Sequence, residues 1–354
     1  MSIVEIAQLA GVSHTTVSRV INNEGSVSPE TAGKIRAIMK EMGYVPKPPA
    51  QRRGPRRARD TSFRTGNIAF LTSSESLKIV SNSPIMSNVL HGIEDALASN
   101  GMSMVQGAVG AKRPLPPIVA KGGVDGVIVW PHLDDVSSDA IEILRGYKVV
   151  YVMSGARERL SADRVCVNHG KVGRLAANHL ASKGHQTIAY VTPSSLMSRI
   201  NLCDRWVGFS ALAKEHGLSA RQCVIEQSHF DLLEIDRDRD LLIQKTLKEF
   251  LVQDERPTGM FVTCDALTAK IYPILKDLGI RIGRDLEIIS CNNETSLLAG
   301  LEPRPVSISI QPETIGKKAV EQLRWRILHP DEENQITIEV SPKFPEEPSY
   351  KEIK

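Results

Sequence analysis

Residues 2–46 read SIVEIAQLAGVSHTTVSRVINNEGSVSPETAGKIRAIMKEMGYVP, and this stretch decides the fold of the first part of the chain. It carries three short amphipathic helices with their caps. Ser2 and Glu5 form an S-x-x-E capping box that starts helix 1 at once. Ile3, Ile6, Ala7 and Ala10 give that helix its apolar stripe, and Gly11 ends it. Ser13 caps a second helix that turns Val17, Val20 and Ile21 inward and leaves His14, Thr15, Ser18 and Arg19 outward. Ser28-Pro29-Glu30 opens a third helix with an N-cap, a proline in the first turn and an acidic residue near the positive helix end. Ile35, Ile38, Met39 and Met42 are its expected buried stripe, and Gly43 its end. Ala10-Gly11-Val12-Ser13 is then the joint of a helix-turn-helix.

A second helix with short polar residues at its N-terminus fits the DNA major groove, where its side chains reach base edges while the first helix crosses the backbone. His14 and Thr15 stand where that turn meets bases. Arg19, one turn on, can take a guanine O6/N7 pair bidentately, and Thr16 and Ser18 suit phosphates. Ser2, Ser13, Asn22 and Ser26 complete the expected DNA-facing set of the head. The alternative is a small helical bundle used for protein contact, which gives no reason for the arginine cluster that follows.

The motif I-A-x-x-A-G-V-S-x-x-T-V-S-R-V-x-N, from Ile6 to Asn22, resembles the head of the lactose/galactose repressor family of bacterial transcription factors. V-S-P-E-T (Val27 to Thr31) and G-Y-V-P (Gly43 to Pro46) extend the resemblance. It implies a small all-α helix-turn-helix head joined to an α/β body of two Rossmann-like lobes similar to periplasmic sugar-binding proteins.

At 354 residues the chain allows two or three domains, and 41% hydrophobic with 24% charged residues is ordinary for a soluble globular protein. The net charge of +3 is unevenly placed: residues 1–64 hold 11 Lys+Arg against 5 Asp+Glu, which leaves the remainder at −3. A basic front on a mildly acidic body suits a DNA binder with a separate sensing domain. Five scattered cysteines, with no C-x-x-C, read as reduced thiols in a cytoplasmic protein rather than a metal site. No signal peptide precedes the first helix and no apolar run approaches the roughly 20 residues that cross a bilayer, so the expected place is the bacterial cytoplasm, at the nucleoid.

Residues 47–65 form a basic linker; within 47–64 seven residues are Lys or Arg and three are Pro. Read alone, it is either a solvated tether or a DNA-binding arm. The resemblance implies a short hinge helix on operator DNA, with a leucine from each subunit wedged into the minor groove. Here Arg53 stands where that leucine belongs, after Ala50 and Gln51, and Gly54-Pro55 would stop the helix after one turn. The expectation is an arginine arm instead, with Ala50, Arg52, Arg53, Arg56 and Arg57 against an A·T-rich minor groove and less kinking than a leucine wedge produces.

From residue 66 on, strand-like runs (67–72, 102–106, 126–130, 149–153, 188–192, 259–264, 287–291) alternate with helical patterns (86–100, 171–183, 206–216, 266–278, 314–328), which is the punctuation of parallel sheets covered by helices. The span exceeds one open sheet, so two similar lobes are expected, the first over 66–165 and 296–328, the second over 166–295 and 329–354. H-G-I-E-x-A-L from His91, V-D-G-V-I-V from Val124, H-L-x-x-x-G-H-x-x-I from His179 and R-x-x-G-F from Arg205 resemble the family's effector domain.

Ligands of such sheets sit beyond the carboxyl ends of strands. Ser73 and Ser74 end the first strand, Trp130 ends GVIVW, Asp265 follows GMFVTC and Asn292 follows EIISC. Arg205 matches the family's frequent ligand-binding arginine. Planar polar groups (Arg205, Asp265, Asn292) for hydroxyl pairs and an aromatic face (Trp130) for C–H surface suit a sugar. Each has a structural alternative: Trp130 as core, Arg205 as a lobe-bridging ion pair, Asp265 as a helix cap. Many relatives carry aspartates where Asn292-Asn293 stand and an Asp-Asn pair where Asn168-His169 stand. The lost carboxylates leave room for a sugar phosphate or sugar acid as well as a sugar.

No catalytic or metal motif emerges: no H-E-x-x-H, no G-x-S-x-G, no phosphate-binding G-x-x-x-x-G-K. The expected function is a ligand-responsive transcription regulator, a repressor, that binds a pseudo-palindromic operator as a homodimer, without cofactor or membrane partner. The rivals are an architectural DNA-binding protein with a non-functional pocket and a sugar-binding transport component. The tail from Ser341 to Lys354 shows no leucine heptads, which argues against a terminal coiled coil.

Overall fold

Each of the first three helices has one apolar stripe, and the three stripes bury one another. α1 (Ile3–Ala10), α2 (His14–Asn22) and α3 (Pro29–Glu41) close over Ile6, Ala7, Ala10, Val17, Val20, Ala32 and Ile35. Gly11 makes the turn at φ 69°, a left-handed conformation that glycine adopts without strain. Ser13 Oγ accepts from the Thr16 amide and Ser28 Oγ from the Thr31 amide, both at 3.2 Å, so the expected caps of α2 and α3 are made, while the Ser2 cap of α1 lies outside the described residues. The stripe of α3 is shifted from expectation. Ala32 and Ile35 are its buried pair, while Ile38 and Met39 are half-buried. Met42 lies past the last helical residue and serves as the C-cap, so it also stays half-buried.

The structure is a computed structural model and describes residues 3–22, 27–44, 62–74, 83–130, 133, 136–153, 159–197, 203–226, 237–252 and 255–345. The chain divides into two compact units, Met1–Asp60 and Thr61–Lys354.

The second unit begins with β1 (Asn67–Ser73), α4 (Pro84–Ser99), β2 (Ser103–Val109), a single turn α5 (Pro117–Ala120), β3 (Gly126–Trp130), α6 (Ser138–Arg145), β4 (Val149–Val152) and β5 (Asp163–Val167). It continues with α7 (His169–Ser182), β6 (Thr187–Pro193), α8 (Ser194–Met197), α9 (Cys203–Glu215), β7 (Ser219–Ile225), α10 (Arg237–Val252), β8 (Gly259–Val262), α11 (Asp265–Asp277), β9 (Glu287–Cys291), α12 (Thr295–Leu298) and β10 (Val306–Ile308). α13 (Pro312–Leu328) and β11 (Thr337–Val340) close it. Two sheets result, with orders β11-β5-β4-β3-β1-β2 and β10-β9-β8-β6-β7, and every named strand pair is parallel. The central strands are apolar on both faces because helices cover both; β3 and β8 are buried at every position.

Both sheets repeat one winding. The chain runs β1 to an outer β2, then back across to β3, and likewise β6 to β7 and back to β8. Each sheet therefore has a switch point, between β1 and β3 in the first and between β6 and β8 in the second, where the carboxyl ends leave a crevice. The lobe boundaries read from sequence need correction. β10, within 296–328, pairs with β9 in the second sheet, and β11, within 329–354, pairs with β5 in the first. The chain returns to the first lobe only at α13, so the crossovers lie at 167–169, 308–312 and 340–343. Hydrogen bonds lace them together: the Asn168 amide nitrogen donates to Glu339 Oε2 at 2.7 Å, Lys171 Nζ to Ser341 Oγ at 3.2 Å, and Ser309 and Lys343 exchange backbone bonds.

One buried ion pair ties α13 to the start of β5 in the first sheet. Arg326 Nε donates to Asp163 Oδ2 at 2.8 Å and Nη2 to Oδ1, while Gln322 and the Ile336 amide add bonds at 2.7 and 2.9 Å. Burial pushes the Asp163 carboxyl up, but these donors outweigh it and hold it below the usual carboxylate range.

Candidate DNA-reading face and effector cleft

On α2 the apolar residues Val17 and Val20 face the core, which sends His14, Thr15 and Arg19 to the exposed side and leaves Thr16 and Ser18 half-buried. Ser13 Oγ is shared among its capping bond, the Thr15 hydroxyl at 2.6 Å and the Thr16 hydroxyl at 2.9 Å. His14, Ser18 and Arg19 make no side-chain hydrogen bond or ion pair among the described residues, so their donors and acceptors stay available. The Asn22 side chain, Ser2, Ser26, Ala50, Arg52, Arg53, Arg56 and Arg57 lie outside the described residues.

In the body, the residues singled out from sequence fall at both switch points. Ser73 ends β1 and Ser74 follows it, and Trp130 ends the adjacent β3, level with Thr72. Asp265 follows β8, Asn292 follows β9, and Arg205 projects from α9. α7 and α9 cross closely there: a Cβ on Gly173 would run into the Arg205 carbonyl, and one on Gly208 into the Gly170 carbonyl. That approach brings Arg205, 4% exposed, onto the first residue of α7. Its Nε donates to His169 Nδ1 at 3.0 Å and its Nη1 to the Thr263 carbonyl at 2.6 Å. It is not a lobe-bridging ion pair. Burial and the adjacent guanidinium hold the His169 imidazole well below its usual range, so it is neutral and protonated on Nε2.

Asp265 neither caps its own helix nor presents a carboxylate to the cleft. Its Oδ1 accepts from the Ser290 and Ser307 hydroxyls, the latter at 2.8 Å, and its Oδ2 from the Glu294 amide at 2.6 Å. α11 starts at Cys264 without a side-chain cap. Thr268 shares a 2.6 Å bond with Ser290, and Ser307 Oγ accepts from the Asn293 amide at 2.9 Å. Asp265 thus fixes the loop after β9, where Asn292 and Asn293 take φ of 109° and 57°. Burial raises its carboxyl above the ordinary value despite those donors.

Glu294 and His169 were not among the residues expected from sequence. Glu294 is buried, and its carboxylate accepts from the Asn292 side-chain amide at 3.3 Å. Ser83, at the N-cap of α4, makes no side-chain capping bond. Burial and the neighbouring Asp265 charge push Glu294 up to about 7. A glutamate directly behind two tandem asparagines, which tolerate left-handed backbone, was the available sequence signal. Trp130 packs in the main core of the body, and Ser73 Oγ is sealed from solvent without a hydrogen-bond partner among the described residues. Among the described residues no group of His, Cys, Asp and Glu is arranged to hold a metal, and no helix is long and apolar enough to cross a membrane.

Residues 2–47 match the family described as bacterial regulatory proteins, lacI family, and residues 177–344 match a periplasmic binding protein-like domain. The ribose operon repressor of Haemophilus influenzae is 30% identical over 344 residues, covering 96% of this chain and 95% of the relative. The HTH-type transcriptional repressor PurR of Vibrio atlanticus is 27% identical, with 99% of each chain covered. The solved complex of the transcriptional regulator CelR with cellobiose shares the fold at a TM-score of 0.62 and 22% identity, with 98% of both chains covered.

Proposed function

We propose, from the premise that the chain belongs to the lacI family of bacterial regulatory proteins, that it is a repressor whose affinity for operator DNA is set by a small molecule in the interlobe cleft. The observation that carries the DNA half is the face of α2: His14 and Arg19, exposed, and Ser18, half-buried, follow a capped turn and have no side-chain partner among the described residues. A single head covers few base pairs, so two chains pair through their effector domains on a pseudo-palindromic operator in the cytoplasm. The relatives named for a ribose operon and for cellobiose support a sugar or sugar derivative as effector. Closure of one lobe on the other then shifts the spacing of the two linkers, a coupling of about 1–3 kcal/mol.

The charge of the front part sits almost wholly in the linker. Residues 1–46 hold 4 Lys+Arg and 4 Asp+Glu, whereas 47–64 hold 7 and 1. Base reading and phosphate attraction are therefore divided between head and arm, and the arm carries most of the salt dependence. Arg53, in place of the wedging leucine, makes the operator centre A·T-preferring and less bent. A circular-permutation bend assay tests this: a gentle bend is expected, and a sharp central kink that survives Arg53→Ala contradicts it.

One observation favours a second reading, an architectural DNA-binding protein with an idle pocket: Asp265 and Trp130 are both used internally. A melting screen over small metabolites separates the two, since a true effector raises the melting temperature by mass action.

A further inference from the structure

We propose that Phe63 and Asp125 form the fixed root of the basic linker and thereby set the half-site spacing that a pair of these chains accepts on DNA. This rests on the reading of the chain as a paired operator binder and adds the residues that position the arm. Asp125, directly before β3, grips the backbone where the linker ends. Its Oδ1 accepts from the Arg64 amide at 3.0 Å and the Thr65 amide at 2.9 Å, and its Oδ2 from the Gly66 amide at 2.7 Å. Gly66 takes φ of 73°, and three successive amides converge on one carboxylate, the nest in which backbone N–H groups hold an anion. The Asp125 amide donates in turn to the Asn67 carbonyl at 2.8 Å, the Asn67 side-chain amide to the Gly123 carbonyl at 3.2 Å, and the Ser103 amide to the Gly66 carbonyl at 2.8 Å. The root is therefore bonded to the starts of both strands that flank β1.

Phe63 stands just before the clamp and is buried, although Arg59-Asp60-Thr61-Ser62 precede it. The guanidinium of the half-buried Arg324 lies over its ring, 5.8 Å from the centroid, within cation–π range. Arg324 belongs to α13, which is held on two further sides. Gln322 and Arg326 of that helix bond Asp163 at the start of β5, and a Cβ on Gly316 would run into the Val89 carbonyl of α4. Residues 63–66 therefore move with the first lobe. The consequence is one of reach. The arm residues proposed to lie on the duplex run to Arg57, which leaves 58–62 between DNA and root. Those five residues span at most about 18 Å, whereas 58–66, with the clamp open, would span at most about 32 Å. Two base pairs inserted at the operator centre part the half-sites by about 7 Å and turn them by about 70°. A closed root confines the two arms to a narrow range of spacings, and an open one absorbs the change.

The test uses the full-length protein and the two-fold related sequence it enriches from a random duplex pool, at native spacing and with two base pairs added at the centre, titrated by fluorescence anisotropy. The unmodified protein should lose at least tenfold in affinity on the lengthened duplex. Asp125→Ala and Phe63→Ala should each lose no more than threefold on the same change, while their binding to a single half-site stays within twofold of the unmodified protein. Far-UV circular dichroism and cooperative melting show which variants are folded. A role confined to holding the start of β1 would lower the melting temperature and leave the spacing penalty as it was, so a penalty within twofold of the unmodified protein's in both folded variants overturns the proposal. If a variant fails to fold, hydrogen exchange on the unmodified protein decides: the Arg64, Thr65 and Gly66 amides should be protected like those of β1, and exchange at the free-chain rate overturns the clamp. An unmodified protein that accepts the lengthened duplex within threefold also overturns it and leaves the paired-operator reading intact. If no two-fold related sequence is enriched, that reading and this one fall together.

Discussion

The outward face of α2 and the rim of the cleft after β8 and β9 are built from similar side chains and put them to opposite use. On α2, His14, Ser18 and Arg19 keep their hydrogen-bonding capacity because the apolar residues Val17, Val20 and Ile21 anchor the helix. On the rim, Asp265, Ser290, Ser307, Thr268 and Glu294 satisfy one another and shape a loop. Position at the end of a strand therefore does not by itself make a residue a ligand contact. What separates a reader from a support is donor and acceptor capacity left unspent. Arg205 lies between the two cases, with bonds from Nε and Nη1 made inside the protein and none from Nη2 among the described residues.

That contrast can be broken at four points. The largest effect belongs to the most thoroughly satisfied pair. Asp163→Ala leaves Arg326 buried without its counter-charge, and should cost about 3–5 kcal/mol in denaturant unfolding of the body; a loss below about 1 kcal/mol would mean the pair is dispensable. Glu294→Gln tests the rim through pH. The native carboxyl sits at about 7 against an ordinary 4.5, so the native state binds more protons between those values and stability falls as pH rises through that window. The substitution should remove that slope, leave stability unchanged near pH 4 and raise it by roughly 2–3 kcal/mol at pH 8. Parallel pH–stability curves for the two proteins would show that Glu294 is not held up in the native fold. Arg19→Ala should leave the melting temperature alone and cost about 1–3 kcal/mol on cognate DNA, with relaxed preference at one base pair. Arg56→Ala should be the mildest, weakening all sequences alike and reducing the log–log salt slope by roughly 0.9.

The head was legible because its signals are local. Helical spacing of Ile6, Ala7, Val17 and Val20, with Ser13 and Ser28 as caps, specifies three helices without reference to anything distant. The central strands β1 and β3 were legible for a similar reason, as continuous apolar runs covered on both faces. Edge elements were not. β7 reads SARQCVI and is mostly half-exposed, so it shows neither a run nor an alternation. β5 and β11 are short, and their pairing with each other depends on a return of the chain from about 170 residues away. For the same reason the lobe boundaries set at 295/296 and 328/329 were misplaced, putting β10 and β11 in the wrong lobes. In α10, charged residues crowd the first turns and hide the stripe of Ile243, Leu247 and Phe250. The cleft was legible as a place, through strand ends and Arg205. Which acids would be consumed there was not, because Asp265 meets Ser290, Glu294 and Ser307 only when β9, the loop after it and β10 converge on the start of α11.

The account rests on α2 recognising bases, and selection from a random duplex pool with the full-length protein at modest salt measures this directly, with and without candidate effectors. The protein should enrich a two-fold related sequence, and the triple change His14→Ala, Thr15→Ala, Arg19→Ala should abolish the enrichment while retaining salt-sensitive binding to any duplex. A pool that stays unenriched under every condition, or an unchanged motif after the triple change, would contradict it.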